Sequence, residues 1–434
     1  MVHRRGGEGV RLHRPGDRPL LAEGGFLSHS VVVVSYRPAD RLSRCLESLT
    51  GQLGGEVEVV VVDNGSPGEA ASRIARRYGA RVVRLGENLG FAAGANAGAR
   101  QATGDVVAFL NDDAVAGDGW LASAARALED PTVAAVGPKL VFTGRYLEIH
   151  LDDETWWAPG DPRPLGRQLV SVSLSGRDVL PYLVGRGIHR LETPQVVGPR
   201  RRTGSQVGGL PRRWRWAAGG GEPFYVPLPP GSQPVELTVN GEAVRPRRVV
   251  DLIDSIGCYL SEDGHVGDIG ADVSDEPEFD TWEERFAISR TAFVTTSEVL
   301  AKVGRFEPRY FASYEDADWC WRARLRGYRV LFDPTVTVRH ERGTTSSGVL
   351  SRRAHFLAER NRLLTLLRNA PSEVALRETW RTRRGGGDDG VAEAIPRFLP
   401  RALGERAVLR RSWVLGPHEV ADRWAGVDAP PRSG

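Results

Sequence analysis

Between Ser30 and Phe142 short β-branched runs alternate with helix-patterned segments, and few folds accommodate that alternation. Residues 31–34, 57–62, 82–85 and 105–110 read as strands. Helices are expected over about 39–49 and 69–78, with a third opened by the Gly/Ala/Asn-rich stretch 88–98. Strands apolar throughout are buried on both faces, and strands separated by helices run parallel. The expectation is therefore an α/β, doubly wound, mostly parallel sheet.

In open sheets of this kind ligands sit in the crevice beyond the carboxyl ends of the strands. Asn111-Asp112-Asp113 arrives there, directly behind the apolar run 106–110. Hard oxygen ligands at such a strand end suit Mg or Mn, and a cation so placed can face a diphosphate. An ordinary Asx-turn is the competing explanation. The glycines at 90, 94 and 98 are four apart, which fits neither a G-x-G-x-x-G nucleotide fingerprint nor a P-loop.

The 434-residue length argues for more than one core. We divide the chain into a basic tail (1–27), a first α/β half (28–142), a β-rich insertion (143–248), a second α/β half (249–345) and a C-terminal helical region (346–434). The insertion is rich in Pro, Gly and Arg, and Asn240-Gly241 behind the run 235–239 is a hairpin signal. Its tryptophans, Trp156, Trp157, Trp214 and Trp216, are read first as the core of a small module and second as sugar-stacking platforms.

With 58 Lys+Arg against 55 Asp+Glu, net charge +3, nothing marks a nucleic-acid binder. Three separated cysteines, Cys45, Cys258 and Cys320, form neither a disulfide framework nor a zinc spacing, which fits a reducing cytoplasm. No apolar stretch approaches the roughly 20 residues that span a bilayer. Residues 351–368 alternate Leu and Phe with arginine. They are read first as a helix packed on the core and second as a contact with an anionic membrane surface.

A second acidic constellation follows in the other half. The stretch from Phe311 to Arg322 reads as a helix entered through Glu315, Asp316 and Asp318, followed by strands at 330–332 and 336–338 and then His340. Helix chemistry accounts for part of it: Ser313 and Asp316 resemble a capping box, acids suit the positive helix end, and Asp318 can pair with Arg322.

Taken in order, Val33-Val34-Ser35-Tyr36, Val62-Asp63-Asn64-Gly65-Ser66, Asn88-Leu89-Gly90-Phe91 with Asn96 and Gly98, Phe109 to Asp113, Gly304-Arg305-Phe306, Phe311 to Trp321, His340 and Glu359-Arg360-Asn361-Arg362 resemble the family 2 glycosyltransferases, particularly their bacterial rhamnosyl- and galactofuranosyltransferase-like branch. The resemblance covers residues 30–142 and about 250–370. It implies the GT-A nucleotide-diphospho-sugar transferase fold with a β-rich insertion. Asp63, Ser35 and Tyr36 would then shape the nucleotide pocket, together with Asn88, Gly90, Asn96 and Asp112. Asp113, with Asn111 or Asp112, would place a divalent metal, Mn or Mg, and His340 would complete its shell or touch the phosphates.

Under the same resemblance Asp316 is the general base, with Glu315 beside it. The reaction is inverting transfer of one sugar from a dTDP- or UDP-sugar to a cell-surface glycan or lipid-linked acceptor, by a cytoplasmic protein that can be peripheral at the membrane. The sequence departs from the family pattern at Asn111, at Arg290 and at Thr295-Thr296, where relatives carry an acid, a small residue and paired arginines. Those departures leave one alternative, a non-catalytic glycan- or nucleotide-sugar-binding protein on the same scaffold.

Overall fold

The computed structural model describes residues 28–37, 40–52, 57–151, 155, 165–189, 215–218, 221–229, 231, 236–341, 352–385 and 390–429. Four parallel strands lead: β1 (His29–Ser35), β2 (Val57–Asn64), β3 (Arg81–Leu85) and β4 (Val106–Asn111). They lie in the order β3-β2-β1-β4, with α1 (Asp40–Leu49), α2 (Ala70–Arg77) and α3 (Phe91–Ala99) as crossovers. Alternation along one strand decides which helices each residue meets. Val31 and Val33 pack into a core with α1, α2 and α4 (Trp120–Ala127). Val32 and Val34 enter the opposite core, with residues of α3, α5 (Ser297–Val303) and α6 (Glu315–Leu325).

Beyond β4 the sheet becomes mixed. The strand Ala292–Thr296 runs antiparallel to both β4 and β6 (Val133–Phe142), and the strand Arg329–His340 runs parallel to β6. The two strands expected at 330–332 and 336–338 are thus one. Pro334 offers no N–H to a ladder, and a register shift between Asp333 and Thr337 absorbs it. The far end of this strand also pairs antiparallel with β5 (Ala114–Ala116), setting His340 opposite Ala114.

The insertion contains the three-stranded sheet Arg145–Ile149, Phe224–Leu228 and Arg248–Val250, a four-stranded sheet, and its own core around Leu147, Leu174, Phe224 and Val239. Asn240 and Gly241, both at positive φ, turn the expected hairpin between Leu237–Val239 and Glu242–Ala243. Trp216 is half-buried there, while Trp156, Trp157 and Trp214 lie outside the described residues.

The C-terminal helices close one face. In α7 (Arg352–Asn369) every residue from Asn361 to Asn369 is buried, so this half of the helix packs, as in the first of its two readings. In this half Arg362 and Arg368 point inward: Arg368 meets Asp318 at 3.1 Å and Glu307 at 2.7 Å, and Arg362 meets Glu359 at 2.6 Å. Asp318 is fully buried and also pairs with Arg322 at 2.8 Å, while Asn369 donates to it at 2.9 Å. Burial opposes the charge, yet Arg368 and Arg322 hold this carboxyl below its usual range.

Asp318→Ala leaves two buried guanidiniums short of a partner, and it should cost about 3–5 kcal/mol. Because the native carboxyl titrates lower than the unfolded one, its stabilisation is present above the ordinary aspartate range, near pH 4, and is lost on further acidification. The wild-type lead over the variant in thermal melts should accordingly narrow as the pH falls below about 4. A constant difference would remove Asp318 from this role.

Candidate active site

Three strand ends and one helix start converge. Asp112 follows β4, and its Oδ2 accepts the Ser35 hydroxyl at 2.7 Å from the end of β1, with Arg41 at 3.8 Å. Burial is the main force that raises the Asp112 carboxyl, to about 6, against the hydrogen bond from Ser35. Ser35 and Tyr36 therefore fix Asp112 and tie two parallel strands together at their ends.

Asp113 faces His340, with Oδ1 3.2 Å from Nε2, and the other ring nitrogen, Nδ1, lies 2.8 Å from Asp254 Oδ2 in the strand Ile253–Ser255. Burial disfavours a charged imidazole, but two flanking carboxylates outweigh it and push His340 up to about 9. The same contact holds Asp113 low, despite its burial. Two ligands in neighbouring positions of an octahedral shell, each about 2.1 Å from the ion, stand about 3 Å apart. The Asp113–His340 pair has that spacing, and Asp254 supplies the outer carboxylate that orients a ligating imidazole. Among the described residues no three His, Cys, Asp or Glu side chains gather at metal-binding distance. A cation here would take its remaining ligands from substrate phosphates and water, as Mg commonly does. Asn111, at the end of β4, donates its backbone N–H to Thr291.

On the other wall, α6 begins through a strained turn. Phe311, Ser313 and Tyr314 all have positive φ, and the buried Asn361 amide reaches the carbonyls of Tyr310, Ala312 and Ser313 at 2.7–2.9 Å. Such strain persists only where the surroundings hold it. The expected capping box is absent: Tyr314 is the N-cap, with no side-chain bond. Asp316 emerges half-buried, its Oδ2 accepting the Arg290 backbone N–H at 2.9 Å. Glu315 is fully buried against the Arg290 guanidinium at 3.0 Å, and desolvation raises its carboxyl. It thus anchors Arg290 rather than opening to the cleft. Asp318 points into the ion-pair core described above, away from Asp316.

Arg290 has partners that the sequence did not show. It lies over Phe91 at 5.3 Å and sits in the fields of Glu315, Asp316, Asp113 and Asp268, so it is a cation close to both Asp113 and the helix start. Asp268, at the end of the strand Val266–Asp268, lies near Asp254 and Asp316. It is exposed there, and the neighbouring carboxylates of Asp254 and Asp316 raise its own. Neither Asp254 nor Asp268 was singled out from sequence. A signal existed for the first, a carboxylate set into the apolar run Leu252-Ile253-Asp254-Ser255.

The remaining expected pocket residues serve the framework. Asp63 is 1% exposed and accepts the Ser66 N–H at 2.9 Å and the Ser72 hydroxyl at 3.3 Å, so it shapes the β2 turn. Asn96 moves out of the site: its amide brackets the Phe306 backbone, at 2.7 and 3.1 Å. Asn88 closes the turn onto the Gly90 N–H, and Gly90, at φ +84°, passes so near Phe311 that a Cβ would stand 2.4 Å from its carbonyl oxygen. Thr295 bonds the Ala134 carbonyl inside the sheet and Thr296 caps α5. A cavity of about 360 Å³ lined by Val115, Gly117, Thr337 and Arg339 contains none of these groups, since Arg339 and His340 point to opposite faces of their strand.

Comparison with known proteins adds the family. The model of glycosyl transferase family 2 matches residues 30–174. The glycosyltransferase AglE of Haloferax volcanii is 31% identical over 121 residues, which are 26% of this chain and 40% of that protein. The pre-mycofactocin glycosyltransferase of Mycobacterium tuberculosis H37Rv is 36% identical over 114 residues, 26% of this chain and 23% of that protein. The matches thus span less than half of either relative. A crystal structure of GalNAc-T7 with UDP, GalNAc and Mn2+ aligns over 90% of this chain and 58% of that one, with 13% identity and a TM-score of 0.48. The sheet with its flanking helices has the expected α/β, doubly wound character, with four parallel strands leading into a mixed far side. Residues 30–174, a third of the chain, thus resemble glycosyl transferase family 2.

Proposed function

We propose that the protein is an inverting, metal-dependent glycosyltransferase that moves one sugar from a nucleoside-diphosphate donor, of the dTDP or UDP type, to a cell-surface glycan or lipid-linked acceptor. The observation that supports this reading best is the continuous arrangement Asp113–His340–Asp254 on one side and Arg290–Asp316 on the other. Asp113 and His340 would hold Mn or Mg, which supplies Lewis-acid stabilisation to the departing diphosphate.

The chain's own groups do the rest. The Asp316 carboxylate, steadied by the Arg290 N–H, takes the proton of the acceptor hydroxyl as that oxygen bonds the anomeric carbon. The bond from that carbon to the diphosphate breaks on the opposite face, and the nucleoside diphosphate leaves with the bonding pair. The Arg290 guanidinium places fixed positive charge where negative charge grows. Nucleoside diphosphate release across a panel of nucleotide sugars, with Mn, Mg or chelator, tests the reading. Tight donor binding without any transfer or hydrolysis would favour the non-catalytic alternative.

Arg290→Ala should lower the transfer rate about 10²-fold. Because the substitution also strands buried Glu315, the double variant Arg290→Ala/Glu315→Gln serves as its control. Recovered thermal stability with transfer still low is the expected result. Full transfer in a stable double variant would dismiss Arg290 from the reaction.

A further inference from the structure

We infer that the arginine-rich end of the α7–α8 helix pair is a docking surface for an anionic lipid bilayer. Among the described residues no helix is long and apolar enough to cross a membrane, so any attachment made by these helices is to the surface. In α8 (Ser372–Gly385), Leu376 and Trp380 stand one turn apart, 58% and 55% exposed. Residues four apart share a helix face, so these two apolar side chains project together into solvent. Arg377 and Arg381 flank them, and Arg384 lies over the Trp380 ring at 3.6 Å.

The neighbouring helix adds charge. The Thr382 hydroxyl donates to Glu359 at 2.9 Å, which sets the last turn of α8 beside the first half of α7. Exposed Arg352 and Arg353 thereby join Arg381, Arg383 and Arg384 at one end of the pair. Among the described residues the acids nearby do not answer this charge. Glu378 is buried among Arg362, Arg377 and Arg381, Glu359 is held by Arg362, and Glu373 sits in the opposite turn of α8 within 3.4 Å of His418. Among the described residues the outward charge at this end is positive.

Tryptophan and leucine settle at the boundary between headgroups and acyl chains, while arginine stems extend toward phosphate. An apolar pair rimmed by arginine suits an anionic bilayer better than a nucleic acid, which offers no apolar layer to Leu376. The position is also apt. Arg353 lies over the Phe311 ring at 5.2 Å, in the strained turn that delivers Asp316, so the docked face borders the catalytic cleft. An acceptor anchored in the bilayer would then reach Asp316 without leaving it.

Flotation of the full chain with phosphatidylcholine vesicles, with and without phosphatidylglycerol, tests this without any sugar transfer. Binding only to the anionic vesicles, weakened at high salt, is expected. Leu376→Ala/Trp380→Ala and Arg381→Ser/Arg383→Ser/Arg384→Ser should each reduce the bound fraction more than about tenfold with melting temperature unchanged. Should either variant fold poorly, Leu376→Cys carrying an environment-sensitive dye gives a second measurement, since the three native cysteines are buried. Its emission should shift to the blue on anionic vesicles. Equal binding to neutral vesicles, no binding, wild-type binding by both variants, an unmoved dye, or full displacement by duplex DNA would overturn the assignment.

Discussion

Asp316→Asn is expected to reduce transfer by about 10²–10⁴-fold while leaving donor binding intact. The asparagine keeps the shape of the side chain and an oxygen for the Arg290 N–H, so the strained turn before α6 should persist. What disappears is the ability to accept a proton. Single-turnover transfer measured beside calorimetric titration of the donor separates the two effects. A variant that transfers normally would move the base elsewhere, and Asp268 is the carboxylate next in position.

The second large effect concerns the cation. Asp254→Asn should weaken Mn affinity about 10–100-fold although residue 254 would touch no metal, because the outer carboxylate fixes the ring and strengthens its basicity. Asp113→Ala and His340→Ala remove ligands outright and should cost more. Electron paramagnetic resonance of free Mn reports the affinity directly, in the absence of donor. Wild-type affinity in Asp254→Asn would mean that His340 does not ligate.

How much of this could be read from the chain varies with the distance over which the signal acts. Strands β1, β2 and β4 were legible because a strand buried on both faces must be apolar along its whole length, as in Val31–Val34 and Val60–Val62, whereas β3 lies at the sheet edge and is at most half-buried. The single strand Arg329–His340 was not, because Pro334 interrupts the local pattern and only pairing with β6 reveals the continuity. Asp113, Asp316 and His340 were legible as acids and an imidazole at element ends, and the fold brings them together. Asp254 carries only a faint local mark, its place in an apolar run, and Asp268 none, since what matters is which carboxylates share the cleft, and that is a tertiary fact.

Glu315 and Asp316 show the same limit within one turn. Adjacent acids look alike in sequence, yet a helix start sends one into the core beneath Arg290 and the other to the cleft. Arg290 shows a related limit. In sequence it is a large residue where small ones are usual, and only the fold shows the buried carboxylate below it and the aromatic ring beside it.

His340 stands opposite Ala114 in a backbone ladder, and Ala114 directly follows Asp113. The spacing of the Asp113–His340 pair, proposed above to hold the cation, is therefore written into main-chain pairing rather than into the connecting segments around the rim. Such segments can be exchanged, lengthened or grafted from elsewhere to recruit different acceptors, while the electrostatic machinery beneath them stays the same.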